Sequence, residues 1–162
     1  MRILFILLIF APCALAQESE AISVLERHAI ELHSVSSPPG LSLRLTLAYL
    51  DASGWTPGSI TAAANESARI LRQCGLELKS AELVRVAAPG KFHDFLTPLS
   101  RELAAALQLG KPTVYFVAGT RQRPAFDAEA IGRGNSRTRP ELRDTVWIAR
   151  GTRDLEIGRA HV

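Results

Sequence analysis

Pro112-Thr113-Val114-Tyr115-Phe116-Val117-Ala118-Gly119 is an unbroken apolar run closed by glycine. A strand with one wet face alternates apolar and polar side chains. This one does not, so it reads as a strand covered on both faces. The layers on its two sides must come from the segments around it.

Upstream, LSLRLTLAYLD (Leu41 to Asp51) places Leu41, Leu43, Leu45, Leu47 and Tyr49 on one side of a strand. Asp51-Ala52-Ser53-Gly54 turns the chain. Thr56-Pro57 is a helix start, threonine as cap and proline in the first turn. Ile60, Ala64, Ser67, Leu71 and Cys74 then recur at spacings that share one helix face, which predicts an inward Cys74. Gly75 is the expected stop. Leu76 to Ala88 is a second strand, bulged where its alternation slips near Ala81. PGKFHDF reads as a loop. Thr97-Pro98 repeats the cap-and-proline start, Leu99, Leu103, Ala106 and Leu107 form the face, and Gly110 ends the helix.

Downstream, Ala125 to Gly132 alternates in the manner of an exposed edge strand. Gly132 to Arg143 (GRGNSRTRPELR) is a polar loop. DTVWIAR is the last strand. The order predicts an α/β (α+β) domain: a mixed, mostly parallel sheet backed by two helices, with an antiparallel edge strand.

The first 16 residues read as a secretory signal. Arg2 supplies the positive start, an apolar run follows, and Ala14-Leu15-Ala16 fits an A-x-A cleavage pattern. The mature chain is expected to begin at Gln17 and to be secreted or periplasmic, with no membrane association beyond export. Retention of the leader as an anchor is the alternative. Residues 17–40 form an N-terminal helix, Glu18 to His33 with Ile22, Leu25, Ala29 and Leu32 on one face, and a linker SVSSPPG. Residues 41–155 form the domain. Residues 156–162 look artefactual: the codons ATC GGA AGA GCA CAC GTC spell Ile157 to Val162 and match a common sequencing adapter, so the natural sequence is expected to be reliable only to about Leu155.

Without the leader, 18 basic residues face 16 acidic ones. So small an excess gives no expectation of nucleic-acid binding. Eight arginines stand against four acids between Arg121 and Arg153. That cluster is a solvated surface or an anionic-partner surface. Export also leaves Cys74 as the one cysteine.

Catalytic patterns do not assemble. His28 and His33 would stand about 140° apart on the expected helix, too far for a shared metal face. His93 and Asp94 are adjacent in a loop. Asn65-Glu66-Ser67 is formally a glycosylation sequon, placed mid-helix. There is no G-x-S-x-G elbow, and Gly132 to Ser136 lacks the rest of a phosphate loop.

In their order and character, PTVYFVAG, AFDAEAIG and DTVWIAR resemble the central strand, antiparallel edge strand and final strand of the upper half of a zincin metallopeptidase domain of the metzincin-like kind. The resemblance spans about Leu41 to Arg153. It implies that a helix carrying H-E-x-x-H follows the last strand, where two histidines and a further ligand would bind zinc and the glutamate would activate the metal-bound water. No residue of this chain matches that motif, so no catalytic or metal residue is assigned and zinc is expected only with a missing C-terminal segment. The resemblance also implies a peptide or protein substrate lying antiparallel to the edge strand, against the backbone of Ala128, Glu129, Ala130, Ile131 and Gly132. It allows a disulfide from Cys74 to the missing segment. The chain as written is then an inactive fragment of an exported zinc-dependent peptidase-like protein. The alternatives are an exported non-catalytic binding or interaction module and a periplasmic polyanion-binding protein.

Overall fold

In the computed structural model, which describes residues 21–32, 41–121, 132–134 and 140–150, the run Thr113–Val117 lies inside a six-stranded sheet. The chain passes through β1 (Ser23–Ile30), β2 (Leu41–Leu50), α1 (Pro57–Gln73), β3 (Leu76–Ala87), β4 (Asp94–Phe95), α2 (Thr97–Leu107), β5 (Thr113–Val117), β6 (Gly119–Thr120), β7 (Gly132–Gly134) and β8 (Thr145–Ala149). The sheet order is β1-β3-β2-β5-β8-β7, and β4 and β6 pair separately. The four inner strands are parallel, and β1 and β7 run antiparallel at the two edges. The expected α/β class with a mostly parallel sheet and two helices is therefore what forms.

Each face of β5 has its own core, as its unbroken hydrophobicity requires. Tyr115 and Val117 join Ala48, Leu50, Val84, Val86 and Trp147 beneath Leu103 and Ala104 of α2. Phe116 joins Leu47, Tyr49 and Leu83 beneath Ile60 and Ala64 of α1. Trp147 is the largest fully buried side chain. Its ring stacks on Tyr115 with centroids 4.2 Å apart and planes at 11°, and its indole N–H donates to Thr145 Oγ1 at 3.1 Å.

Helix α1 starts as its sequence prescribes. The Thr56 hydroxyl accepts from the Ser59 amide at 3.2 Å and the Ser59 hydroxyl accepts from the Thr56 amide at 3.3 Å, with Pro57 in the first turn. It ends before Gly75, whose φ of +72° is the left-handed conformation glycine supplies at helix ends. The bulge in β3 lies at Lys79, the residue skipped between the pairs Leu43–Leu78 and Arg44–Ser80, two positions before the expected slip.

Several expectations are corrected. The segment read as a helix from Glu18 to His33 is strand β1 over Ser23–Ile30. Its helical spacing is an artefact of a bulge: Leu25, unpaired between Val24 and Glu26, falls out of the period-2 register and is 50% exposed. Backbone pairing with β3 stabilises this strand, for only Ile30 of its eight residues is buried. The buried line of α1 is Ile60, Ala64 and Ala68, while Ser67 is exposed. In α2 the cap position is Leu96 and makes no side-chain capping bond; Thr97 is inside the helix and buried. Ser100 and Ala104 are buried beside the expected Leu103, Ala106 is exposed, and Gln108 in the left-handed conformation ends the helix two residues before Gly110. The segment PGKFHDF is not a featureless loop: it contains β4 and buries Phe92 and Phe95. Gly132–Gly134, read as the start of a loop, is strand β7.

Trp147→Ala removes the ring that spans β5, β8 and the α2 layer. It is expected to cost about 3–5 kcal/mol in a denaturant titration. Burial pushes the Tyr115 phenol up to about 12, whereas the unfolded chain ionises near 10. The neutral phenol is the form the fold favours, so its contribution is full below about pH 10 and is lost as pH rises toward 12. Among the described residues no hydrogen bond reaches the Tyr115 hydroxyl. Tyr115→Phe should therefore fold normally and flatten the alkaline loss of stability; an unchanged alkaline limb would contradict this burial.

Candidate functional site

Open α/β sheets place ligands beyond the carboxyl ends of their parallel strands. Here that end is tied together by the loop after β2. Asp51 opens a short turn and accepts a 2.7 Å ion pair from Arg85 of β3. Gly54 adopts φ +76°, and any Cβ on it would run into the Arg150 guanidinium. This glycine is needed both for its backbone and for its lack of a side chain. Trp55 follows, and its indole N–H donates 2.9 Å to the Val117 carbonyl at the end of β5. Its ring meets Phe116 edge-on at 5.0 Å. Arg150, just past β8, donates its backbone N–H to the same Val117 carbonyl at 3.3 Å and its guanidinium to the Gly54 carbonyl at 2.7 Å. The ends of β2, β5 and β8 are thereby held in one arrangement by Trp55 and Arg150. Sequence reading missed both residues; the turn at Gly54 followed at once by a tryptophan was the available signal.

Of the residues expected to line a peptide-binding edge, Gly132 lies in β7, opposite Ile148 of β8. Ala128, Glu129, Ala130 and Ile131 lie outside the described residues. So do the signal segment, His33, the linker and the adapter-like tail. The antiparallel pairing of β7 on β8 puts the described part of this edge at the margin of the sheet.

Cys74 does not point inward. It is exposed, because it follows the last turn of α1 as the cap residue, off the line of Ile60, Ala64 and Ala68. His93 is held by the Ala88 carbonyl at 3.1 Å from its Nε2, which puts the ring proton on that nitrogen. Asp94 is bound by Arg121 at 2.8 Å. That pair packs tightly over Gly119, where a Cβ would come within 2.8 Å of the carboxylate. His28 pairs with Glu26 at 2.8 Å on exposed β1. The Asn65 amide of the sequon donates to the Thr61 carbonyl at 3.1 Å within its own helix. Among the described residues no three His, Cys, Asp or Glu side chains come close enough to hold a metal ion. No helix among them is long and apolar enough to cross a membrane.

The arginine-rich segment is partly absorbed by structure. Arg121 binds Asp94, Arg143 lies 3.5 Å from Asp144, and Arg150 binds Gly54. Across the α2 layer Arg101 holds Glu141 at 2.7 Å, and this guanidinium keeps the Glu141 carboxyl below the usual carboxylate range.

The two sides of β8 differ. Thr145 and Trp147 are buried on the α2 side. On the α1 side Val146 is 41% exposed, and Ile148 and its neighbour Val114 are only partly covered. Helix α1 packs over β3 and leaves this apolar strip open.

Comparison of the chain with protein-family models, curated proteins and solved structures finds no match.

Cys74 should react stoichiometrically with a thiol reagent in the native protein, before any unfolding; a thiol released only by denaturant would restore the inward reading. Val146→Ser should change unfolding free energy by less than about 1 kcal/mol, since little burial is lost. It should also lower self-association measured by light scattering. Unchanged scattering would show that the strip is not what drives association.

Proposed function

We propose that this chain is the sheet-bearing part of an exported zinc-dependent peptidase-like protein, inactive as written because it holds none of the metal-binding residues. The observation that carries this reading is the path of the chain at the β7 edge. From central β5 the chain goes out to an antiparallel edge strand and returns as β8, parallel to β5 and inserted between the two. A central strand, an antiparallel edge and a final strand, in that order, are what the zincin resemblance calls for.

A second observation supports it. The strip formed by Val114, Val146 and Ile148 is apolar and incompletely covered, on the same side of the sheet as α1. A further helix packed there would bury it, and burial of such surface is stabilising by roughly 25 cal/mol per Å². On this reading the helix brings the zinc ligands and the general base, and the β7 margin offers unpaired backbone groups to an extended peptide. The parts present supply a scaffold and a substrate edge. The chemistry belongs to the segment that follows.

The test is to read the source locus across the codon for Leu155. The expected result is an open frame that continues into His-Glu-x-x-His within a helical pattern. The protein made from that frame should bind one zinc and lose peptide hydrolysis when the metal is chelated. A stop codon after Val162, or a continuation without paired histidines, overturns the proposal and leaves an exported non-catalytic module.

A further inference from the structure

The α2 side of the sheet changes character along its length. Toward the carboxyl ends of the strands it is apolar, with Ala48, Leu50, Val84 and Val86 beneath α2. Toward the other end the same rows continue as Arg44 and Thr46 of β2, Ser80 and Glu82 of β3, and Arg27 of β1. The register places Arg44 opposite Ser80 and Thr46 opposite Glu82. These side chains form the floor of an open groove of about 460 Å³, with Gly110 and Lys111 as its wall.

The wall is fastened to the sheet. The Thr113 hydroxyl donates to the Gly110 carbonyl at 2.8 Å, and the Thr46 amide donates to the Pro112 carbonyl at 3.1 Å. A Cβ on Gly110 would come within 3.3 Å of Thr46 Oγ1, so glycine there keeps the wall close to the floor. The groove is lined by three permanent cations, Arg27, Arg44 and Lys111, and by one carboxylate, Glu82, which already accepts from Arg27 at 3.0 Å. Among the described residues Lys111 Nζ makes two long bonds, 3.3 Å each, to the carbonyls of Pro140 and Glu141. Arg44 has no hydrogen bond or ion pair among the described residues.

We propose that this groove binds a tetrahedral oxyanion, a phosphate or sulfate group either free or on a small ester. The forked donors of Arg44 match two oxygens of such a group, and Lys111 supplies a point charge from the wall. The Ser80 hydroxyl stands beside Arg44 as a neutral donor. Glu82 holds Arg27 in place and limits the net charge, so removing its carboxylate frees a third cation for the anion. The site lies at the opposite end of the strands from the Trp55–Arg150 clasp and needs no zinc, so it stands or falls apart from the peptidase reading.

The experiment is an NMR titration of the full chain at constant ionic strength with inorganic phosphate, inorganic sulfate and glycerol 3-phosphate. Saturable shifts are expected for the amides of Arg44, Ser80 and Lys111. Arg44→Gln should weaken binding at least about tenfold, and Glu82→Gln should tighten it several-fold. Both residues are surface-exposed or half-exposed, so folding of the variants is checked by their unperturbed spectra. Tighter binding of glycerol 3-phosphate than of inorganic phosphate assigns the anion to an ester; the reverse assigns it to the free ion. Shifts that do not saturate, or that are the same in Arg44→Gln as in the parent, overturn the proposal.

Discussion

The stacking of Trp147 on Tyr115 fixes how the last strand enters the sheet. The rings lie 4.2 Å apart and nearly parallel, with Phe95 tilted against the indole at 5.4 Å. The Thr145 hydroxyl accepts from that indole and donates to the Leu142 carbonyl at 2.7 Å, so the strand's first residue is tied to the turn before it. A slip of one residue would turn Trp147 out and Val146 in. With this register fixed, Arg150 arrives where it can bond both Val117 and Gly54, and Gly132 to Gly134 can pair on the outer side of β8. The same register puts Val146 and Ile148 on the α1 side of the sheet, where α1, packed over β3, leaves them incompletely covered.

The inner strands were legible because their hydrophobicity is a direct consequence of position. β5 is buried on both faces and reads as unbroken; β2 alternates, with Leu41, Leu43, Leu45, Leu47 and Tyr49 on its α1 side. The start of α1 was legible because Thr56 and Pro57 are local signals with a local cause. Errors arose where a few apolar residues fit two periods. Ile22, Leu25, Ala29 and Leu32 fit a helix, yet Leu25 is a bulge and Ala29 a paired residue of strand β1, with Ile22 and Leu32 just outside its ends, and β3 supplies the backbone partners that no local pattern reveals. Cys74 was misplaced by extending a helix face past the helix end. In α2 the face was legible at Leu103, but its other buried positions, Thr97, Ser100 and Ala104, are small or polar and carry little hydrophobic signal.

The sites divide in the same way. A reading from the sequence concentrated on the arginines after Arg121, since they are neighbours in the chain. The fold engages Arg121, Arg143 and Arg150 with carboxylates or carbonyls. It gathers Arg27, Arg44 and Lys111 from three distant segments, which no spacing in the sequence could announce. The Trp55–Arg150 clasp was equally hidden, because it depends on the ends of three strands meeting at one place. The peptidase reading depends on strand order, which the sequence suggested through the character of three segments and which the parallel insertion of β8 supports.

The central claim is that β8 has one finished face and one open face. It is tested most directly by solvent paramagnetic relaxation on the intact chain in solution, with no substitution made. A soluble paramagnetic agent should broaden the Val146 methyl signals strongly and leave the Trp147 indole proton and the Val117 methyls sharp. Equal broadening of Trp147 and Val146, or a protected Val146 beside an exposed indole, would contradict the register and with it the open strip.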